Sequence, residues 1–532
     1  MILLALTLAV PAVAGTALIL GDRAPVAARP LTAQLVALVA SVVTLVLTVW
    51  DVVQQPVVDQ PWVPTLGLRW HFAVDGISAP LVLLTAGLGV AVVAHARRHL
   101  PTGGTPGTFY GCLLLVELGA LGTFLTRDAV LFFIAFETVL IPMWILINRF
   151  GDPRDAAARS DAAGRFLLYT VLGSTLMLIG ILALVNAAGT ADLDRLAASG
   201  GAGLSPTTQA IVAAILLVGL GIKVPLWPVH TWLPPAHTIA PTGGSVLLAA
   251  VLLKMGTYGI VRLVAAPLPH GLGVLAPYLG GAAVIGIIWG GLACLVERDL
   301  KWLVAYSSVA HMGFVVLGIA SGTDTGLQAA LFANIAHGVV SALLFFVVGG
   351  LKERWGSADL GVARAALREV SPRMGLSLVI GFAAALGLPG LVTFWGEWLA
   401  MYAAWSPAAD RPVGLFHAYA VVAVIGTALA AGYALRVLRV VWAGDRLEPA
   451  VPDVSGVERW VVGVLTLTVA ALGVWPRAVL DSTAPVVAEI VHRAGVSTPA
   501  DLGSLPPISG LPAREVPRSA GDSRDPRGGA AS

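Results

Sequence analysis

The sequence predicts an all-α polytopic membrane protein of 14 transmembrane helices, with breaks in helices 7 and 12 that lie five helices apart, the spacing of an inverted repeat. Three observations carry that expectation. The chain is 57% hydrophobic and 12% charged, with a mean hydropathy of +0.86, whereas soluble domains average about 25% charged residues. Its apolar runs recur at the length a bilayer demands, about 20 residues. Two of them are interrupted by proline and glycine beside an ionisable residue.

In chain order the runs fall near 2–21, 31–50, 77–96, 108–126, 129–148, 166–188, 208–224, 242–265, 274–295, 302–321, 326–350, 375–399, 414–441 and 459–475. The first contains Ala12-Val13-Ala14, which resembles a signal-peptidase site, but no basic stretch precedes it, so it reads as an uncleaved span. The tail, 497–532, is rich in Pro, Gly, Ser and charge and is expected to be disordered.

Basic residues set the orientation. Loops after even-numbered spans hold Arg69, Arg127, Arg195, Arg262 and Arg411. Loops after odd-numbered spans hold most of the remainder, among them Arg23, Arg29, Arg97, Arg98, Arg149, Arg154, Arg298, Lys301, Lys352, Arg354, Arg364 and Arg446. The imbalance places the odd-numbered loops in the cytoplasm and both termini outside. A net charge of +2 gives no reason to expect nucleic acid. Cys112 and Cys294 sit far apart in apolar runs, so no cluster of thiolates and no disulfide pattern is expected. There is no HExxH, no clustered Cys and His, and no dinucleotide fingerprint. Neither a metal nor a cofactor is therefore expected in this chain.

The stretch from Gly219 to Gly259 organises the rest. Lys223 and Lys254 lie in apolar surroundings with five prolines, His230 and His237 between them. A lysine at mid-bilayer costs roughly 2.5–3.5 kcal/mol on insertion scales, so an intramembrane charge reads as functional. Prolines break the helix beside Lys223, and such breaks are tolerated at membrane depth only next to protein or a watery cavity. The twelfth span repeats the pattern, with Gly387, Pro389, Gly390 and Gly396 around Glu397. Five helices separate the two breaks, an odd number, so a repeat of that length is inverted, and paired broken spans point to a transport path.

Glu117, Glu137, His311 and His337 complete the ionisable residues within the spans. Burial disfavours the charged form of lysine and glutamate alike, which brings both toward conditions where protons exchange. Lys223 needs a counter-ion, and Glu137 is the expected partner. Lys254, flanked by apolar residues, should face the interior. His311 and His337 suit relays between the lysines and Glu397. Glu117 divides evenly between site and structure, and His230 and His237 are expected to bond backbone groups freed by the break. For each, the plain alternative is a hydrogen-bonded core residue.

The stretches KVPLWPVHTWLPPAH, APTGGSVLLAAVLLKMGTYGI, ERDLKWL, AYSSVAHMGFVVLGI, AHGVVSALLFFVVGGL and GLPGLVTFWGEW resemble the antiporter-like membrane subunits of NADH-quinone oxidoreductase, respiratory complex I, and among these the subunit M type, over roughly residues 75–475. The resemblance implies two inverted five-helix repeats, helices 4–8 over 108–265 and helices 9–13 over 274–441, preceded by helices 1–3 over 1–107 and followed by a fourteenth helix with a C-terminal segment over 442–496. It implies a proton path through Glu137, Lys223, Lys254 and Glu397, with His311 and His337 connecting. It implies L- and N-type neighbouring subunits, and NADH, FMN, iron–sulfur clusters and quinone held by partner chains. Glutamate rather than lysine at 397 separates the M type from the other two. One departure stands out: the family's loop reads HTWLPDAH, and here Pro235 replaces the aspartate. Two rival readings remain at this point, a subunit of a multi-chain Na⁺/H⁺ antiporter and a non-conducting scaffold for a redox complex.

Overall fold

The computed structural model describes residues 2–21, 30–64, 67–97, 100–361, 366–445 and 452–493. The tail 497–532, and Arg23, Arg29, Arg98, Arg364 and Arg446 of the orientation reading, lie outside the described residues. Among those described, twelve helical stretches are long and apolar enough to cross a membrane.

In chain order come α1 (Ile2–Gly21), α2 (Pro30–Gln54), α3 (Ala79–His95), α4 (Pro106–Leu125), α5 (Ala129–Phe150), α6 (Ala156–Ala188) and a short α7 (Leu193–Ser199). Next are α8 (Pro206–Lys223), a short α9 (Leu233–Ile239), α10 (Thr242–Ala265), α11 (Pro269–Val296), α12 (Leu300–Ser321) and α13 (Asp324–Trp355). Then follow α14 (Pro372–Ala385), α15 (Val392–Trp405), α16 (Val413–Trp442), α17 (Gly456–Val474) and α18 (Arg477–Arg493). The spans expected at 77–96 and 375–399 correspond to α3 and to the broken pair α14 and α15, all shorter than 18 residues. The sixth helix begins ten residues before the expected 166, where Asp155 caps it by accepting from the Ala158 N–H.

The fold is not wholly α. Val57–Val63 (β1) and Leu68–Ala73 (β2) form an antiparallel hairpin. It is pinned to the α4–α5 turn by Arg127 N–H donating to His71 O at 2.7 Å and Arg69 N–H donating to Asp128 Oδ2 at 3.2 Å. The C-terminal segment after Trp475, which carries no further strong apolar span, forms α18.

Burial is graded. In α10 and α13 the most apolar stretch is fully buried, and α12 follows closely. By contrast α1, α2, α16 and α17 expose most of theirs. Helices apolar all round belong at the centre of a membrane bundle, and exposed apolar faces belong against lipid or another chain. Lys254, His311 and His337 lie on the three central helices.

Two backbone clasps match each other. At the start of α5, Ala129 N–H donates to Ala191 O and Leu193 N–H to Arg127 O, both at 2.8 Å. At the start of α12, Leu300 N–H donates to Ala358 O at 2.9 Å and Leu360 N–H to Arg298 O at 2.8 Å. Each clasp carries an Arg-Asp pair whose aspartate, Asp128 or Asp299, caps the helix that follows.

Candidate proton path

The candidate path lies where helices are irregular. α10 widens into π-helical turns at Leu248–Leu252 and Val261–Ala265, on either side of Lys254. Such turns leave carbonyls open to other donors and often mark functional sites. Lys254 is fully buried. Its ammonium donates to Ala249 O at 2.7 Å, inside the first wide turn, and to His337 Nδ1 on α13. Beside them Thr257 donates to Asn334 Oδ1 at 2.9 Å.

The His337 and His311 rings lie 5.6 Å apart between centroids. His311 faces two carbonyls, with Nδ1 2.6 Å from Ser307 O and Nε2 2.9 Å from Ala385 O. A neutral imidazole serves one of these acceptors and an imidazolium serves both, so the site accommodates either protonation state. Ala385 ends α14, and its carbonyl is one of those freed by the break. The same Nε2 lies 3.3 Å from Glu397 Oε1 on α15. Lys254, His337, His311 and Glu397 thus form one run of neighbours through four helices. A cavity of about 10 Å³ lies against both histidines, the room of about one water-sized sphere.

The break between α14 and α15 is shaped for its glutamate. Gly387 has φ +76°, in the left-handed region, and a Cβ there would lie 2.7 Å from Glu397 Oε2. Glycine therefore supplies both the turn and the space.

Lys223, at the end of α8, is buried but does not form the expected contact pair with Glu137. Its ammonium lies over the rings of Phe136 at 5.0 Å and Phe166 at 5.9 Å, positions in which aromatic faces stabilise a cation. Glu137 is half-buried, has Ser174 nearby, and acts on Lys223 through space. The break after Lys223 is covered by Trp232 Nε1–H donating to Ile222 O at 3.0 Å and Leu226 N–H donating to Gly221 O at 2.9 Å.

The freed backbone there is thus met by Trp232 and Leu226 rather than by histidine. His237 is fully buried and stacked on Phe345 at 4.5 Å, and among the described residues neither of its ring nitrogens has a hydrogen-bond partner; nor has His230 Nδ1. Glu117 is buried between α2, α3 and α4, where Ser41 donates to it at 3.2 Å and Gly89 leaves room for its carboxylate. Nothing among its described contacts joins it to the Lys254–Glu397 run.

Sequence reasoning missed a second polar cluster, at the opposite end of α10 from Pro241. Asp75 binds Arg127 at 2.9 Å and also Arg262. Burial alone would raise the Asp75 carboxyl, but the two guanidiniums outweigh it and hold it well below the usual carboxylate range. His71 Nδ1 lies 3.0 Å from Asp192 Oδ2. Burial opposes the imidazolium, and the hydrogen bond and charge of Asp192 overcome that and raise the His71 pKa above its ordinary value. The signal for both was present as charges at span ends, without any sign of which would pair.

Residues 126–423 match the family model described as NADH:quinone oxidoreductase/Mrp antiporter, TM. The chain is 34% identical to NADH-quinone oxidoreductase subunit M of Rhodobacter capsulatus over 94% of this chain and 98% of that one. It superposes on a chain of respiratory complex I from Thermus thermophilus with bound NADH, with TM-score 0.82 and 28% identity, covering 92% of this chain and all of the other. A chain of the Mrp complex from a Dietzia species gives TM-score 0.80 at 22% identity, covering 93% of this chain and 99% of that one, a likeness of fold.

Proposed function

Because the chain belongs to the NADH:quinone oxidoreductase/Mrp antiporter transmembrane family, we propose that it is the M-type proton-translocating membrane subunit of an NADH-quinone oxidoreductase, coupling electron transfer elsewhere in the complex to proton movement. The observation that carries this is the buried run Lys254, His337, His311, Glu397, each group next to the following one. Four ionisable side chains held together in a membrane core are costly unless charge passes among them. NADH, FMN, iron–sulfur clusters and quinone belong in this reading to partner chains, and L- and N-type subunits are its neighbours.

The arrangement is fourteen passes, with α3 and the α14–α15 pair completing the twelve long spans. The two matched clasps, at Asp128 and Asp299, support an inverted repeat over 108–265 and 274–441. The face rich in arginine is cytoplasmic and both termini lie outside, in a bacterial plasma membrane.

Electron transfer changes the charge presented by a neighbouring subunit at the half-buried Glu137. That change alters the field at Lys223 and, through the packing of Gly256 against Val224, the proton equilibrium of Lys254. The proton passes by His337 and His311 to Glu397, which exchanges it with the outer face. Two substitutions, Lys254→Met and Glu397→Gln, test this in membrane vesicles. NADH oxidation with an assembled complex and lost acidification is the expected result, and retained acidification removes the assignment. The Mrp-type reading shares the fold and predicts proton movement driven by a sodium gradient without NADH. The scaffold reading predicts defects of assembly alone.

A further inference from the structure

Lys301 stands in the sequence as a loop base of the ERDLKWL stretch, yet its side chain is buried. Its ammonium donates to Ala240 O at 2.8 Å and lies 3.4 Å from Ser245 Oγ, and among the described residues no carboxylate oxygen lies within 4.0 Å of it. A buried cation held only by neutral groups is expensive unless its charge is used. Lys301 also lines a cavity of about 440 Å³ on the arginine-rich face, whose other walls include Asp152, Arg154, Thr242, Lys352 and Glu353. Charged side chains enter the walls of this cavity, whereas the groove between α3 and α17 has none.

On its inner side Lys301 leads to the described path. The Ser245 hydroxyl that faces it donates to the backbone oxygen of His237 at 2.9 Å. The His237 ring, with both nitrogens unpartnered among the described residues, lies in the fields of both Lys301 and Lys254. The capping of α12 does not need the lysine side chain, because Asp299 caps through the backbone N–H groups of Lys301 and Trp302. At the matching position after the other clasp stands Val130, whose N–H meets Asp128 in the same way.

We propose that Lys301 is the proton-loading group of the path, taking protons from water in this cavity and passing them by way of Ser245 to His237 and so to Lys254. In each passage an Nζ–H bond of the Lys301 ammonium breaks as an O–H bond forms on Ser245, and the original Ser245 O–H bond breaks as an N–H bond forms on a ring nitrogen of His237. The neutral amine then takes a proton from hydronium in the cavity, which restores the ammonium and leaves water. One proton has moved inward, and no electron pair changes owner.

The inference rests on the Lys254–Glu397 reading, and the test separates the two. In vesicles holding the whole complex, Lys301→Met and Lys301→Arg are compared with Lys254→Met. Arginine keeps the charge and the donor to Ala240 but does not release its proton at physiological pH. Both Lys301 variants are expected to oxidise NADH in an assembled complex with acidification reduced at least about tenfold. If Lys301→Met fails to assemble, Lys301→Arg carries the test. Normal acidification by Lys301→Arg, with Lys254→Met inactive, overturns the loading role and leaves the path standing. Normal acidification by all three overturns the path itself.

Discussion

Substituting Gly387 by alanine tests whether the position of the Glu397 carboxylate, rather than its mere presence, matters. The added Cβ lies 2.7 Å from Glu397 Oε2, against about 3.5 Å for an unstrained contact. The carboxylate therefore retreats by roughly 0.8 Å, the difference between those two distances. From a starting separation of 3.3 Å to His311 Nε2, a shift of that size in the wrong direction takes the pair out of hydrogen-bond range. A misplacement of about 1 Å can cost on the order of 100-fold in a positioned reaction.

The backbone also objects, because φ is +76° and a left-handed alanine costs roughly 1–2 kcal/mol. Gly390 supplies the control. Its φ is +89° with nothing within 4 Å of where an added methyl would sit, so Gly390→Ala carries the strain without the collision. NADH-driven acidification in inverted vesicles, normalised to assembled complex, should fall about 10- to 100-fold for Gly387→Ala and stay near normal for Gly390→Ala. Equal acidification by the two variants would refute the reasoning.

Three further outcomes are expected. Glu137→Gln and Lys223→Ala should leave the complex assembled and uncoupled, checked by native electrophoresis alongside vesicle acidification; coupling retained in both removes them from the mechanism. Asp75→Asn leaves Arg127 and Arg262 without their shared carboxylate and should destabilise the subunit by about 3 kcal/mol, seen as dissociation of the purified complex at lower temperature; unchanged thermal dissociation would contradict it. The His71 pKa is raised in the folded chain, so the stabilisation from its pairing with Asp192 is fully present below about pH 6.5 and is lost as pH rises through the folded value. Asp192 is shifted down: burial opposes this, but the His71 hydrogen bond, the Arg195 N–H and the charges of both residues together outweigh it, so its share is lost only in acid, below about pH 3.8. Hydrogen exchange of β1 and β2, corrected for intrinsic rates, should therefore quicken from about pH 6.5 upward, and His71→Gln should flatten that dependence; a hairpin slowed by alkali would refute the pairing.

The spans were legible because a bilayer imposes a length and a composition that no loop imitates. The hairpin was not, because Asp59 and Pro61 interrupt a short strand whose partners lie across a turn. α18 was missed for a similar reason, since an amphipathic helix with Pro485 inside it lacks the continuous apolar signal. Of the candidate site, Lys254, His311, His337 and Glu397 stood out because charge inside an apolar run is conspicuous. Lys301 escaped because it sits among Glu297, Arg298 and Asp299, and its burial depends on Ala240 and Ser245, some sixty positions away in the chain. The Glu137–Lys223 pair was inferred from the need to balance a cation, and the structure meets much of that need with the aromatic faces of Phe136 and Phe166, a solution to which charge counting is blind.

With 32 residues, α13 is about 48 Å long at 1.5 Å per residue, well beyond the roughly 30 Å of hydrocarbon. Its protruding end is gripped from three sides: Lys352 by Asp152 at 2.8 Å, Glu353 by the Thr242 hydroxyl at 3.0 Å, and Arg354 by Glu458 at 2.6 Å. A stiff rod held at one tip behaves as a tiller. His337, which touches the Lys254 ammonium, lies on the same rod, so in the proposed mechanism the loops that grip its tip are mechanically linked to the proton path without meeting a proton themselves.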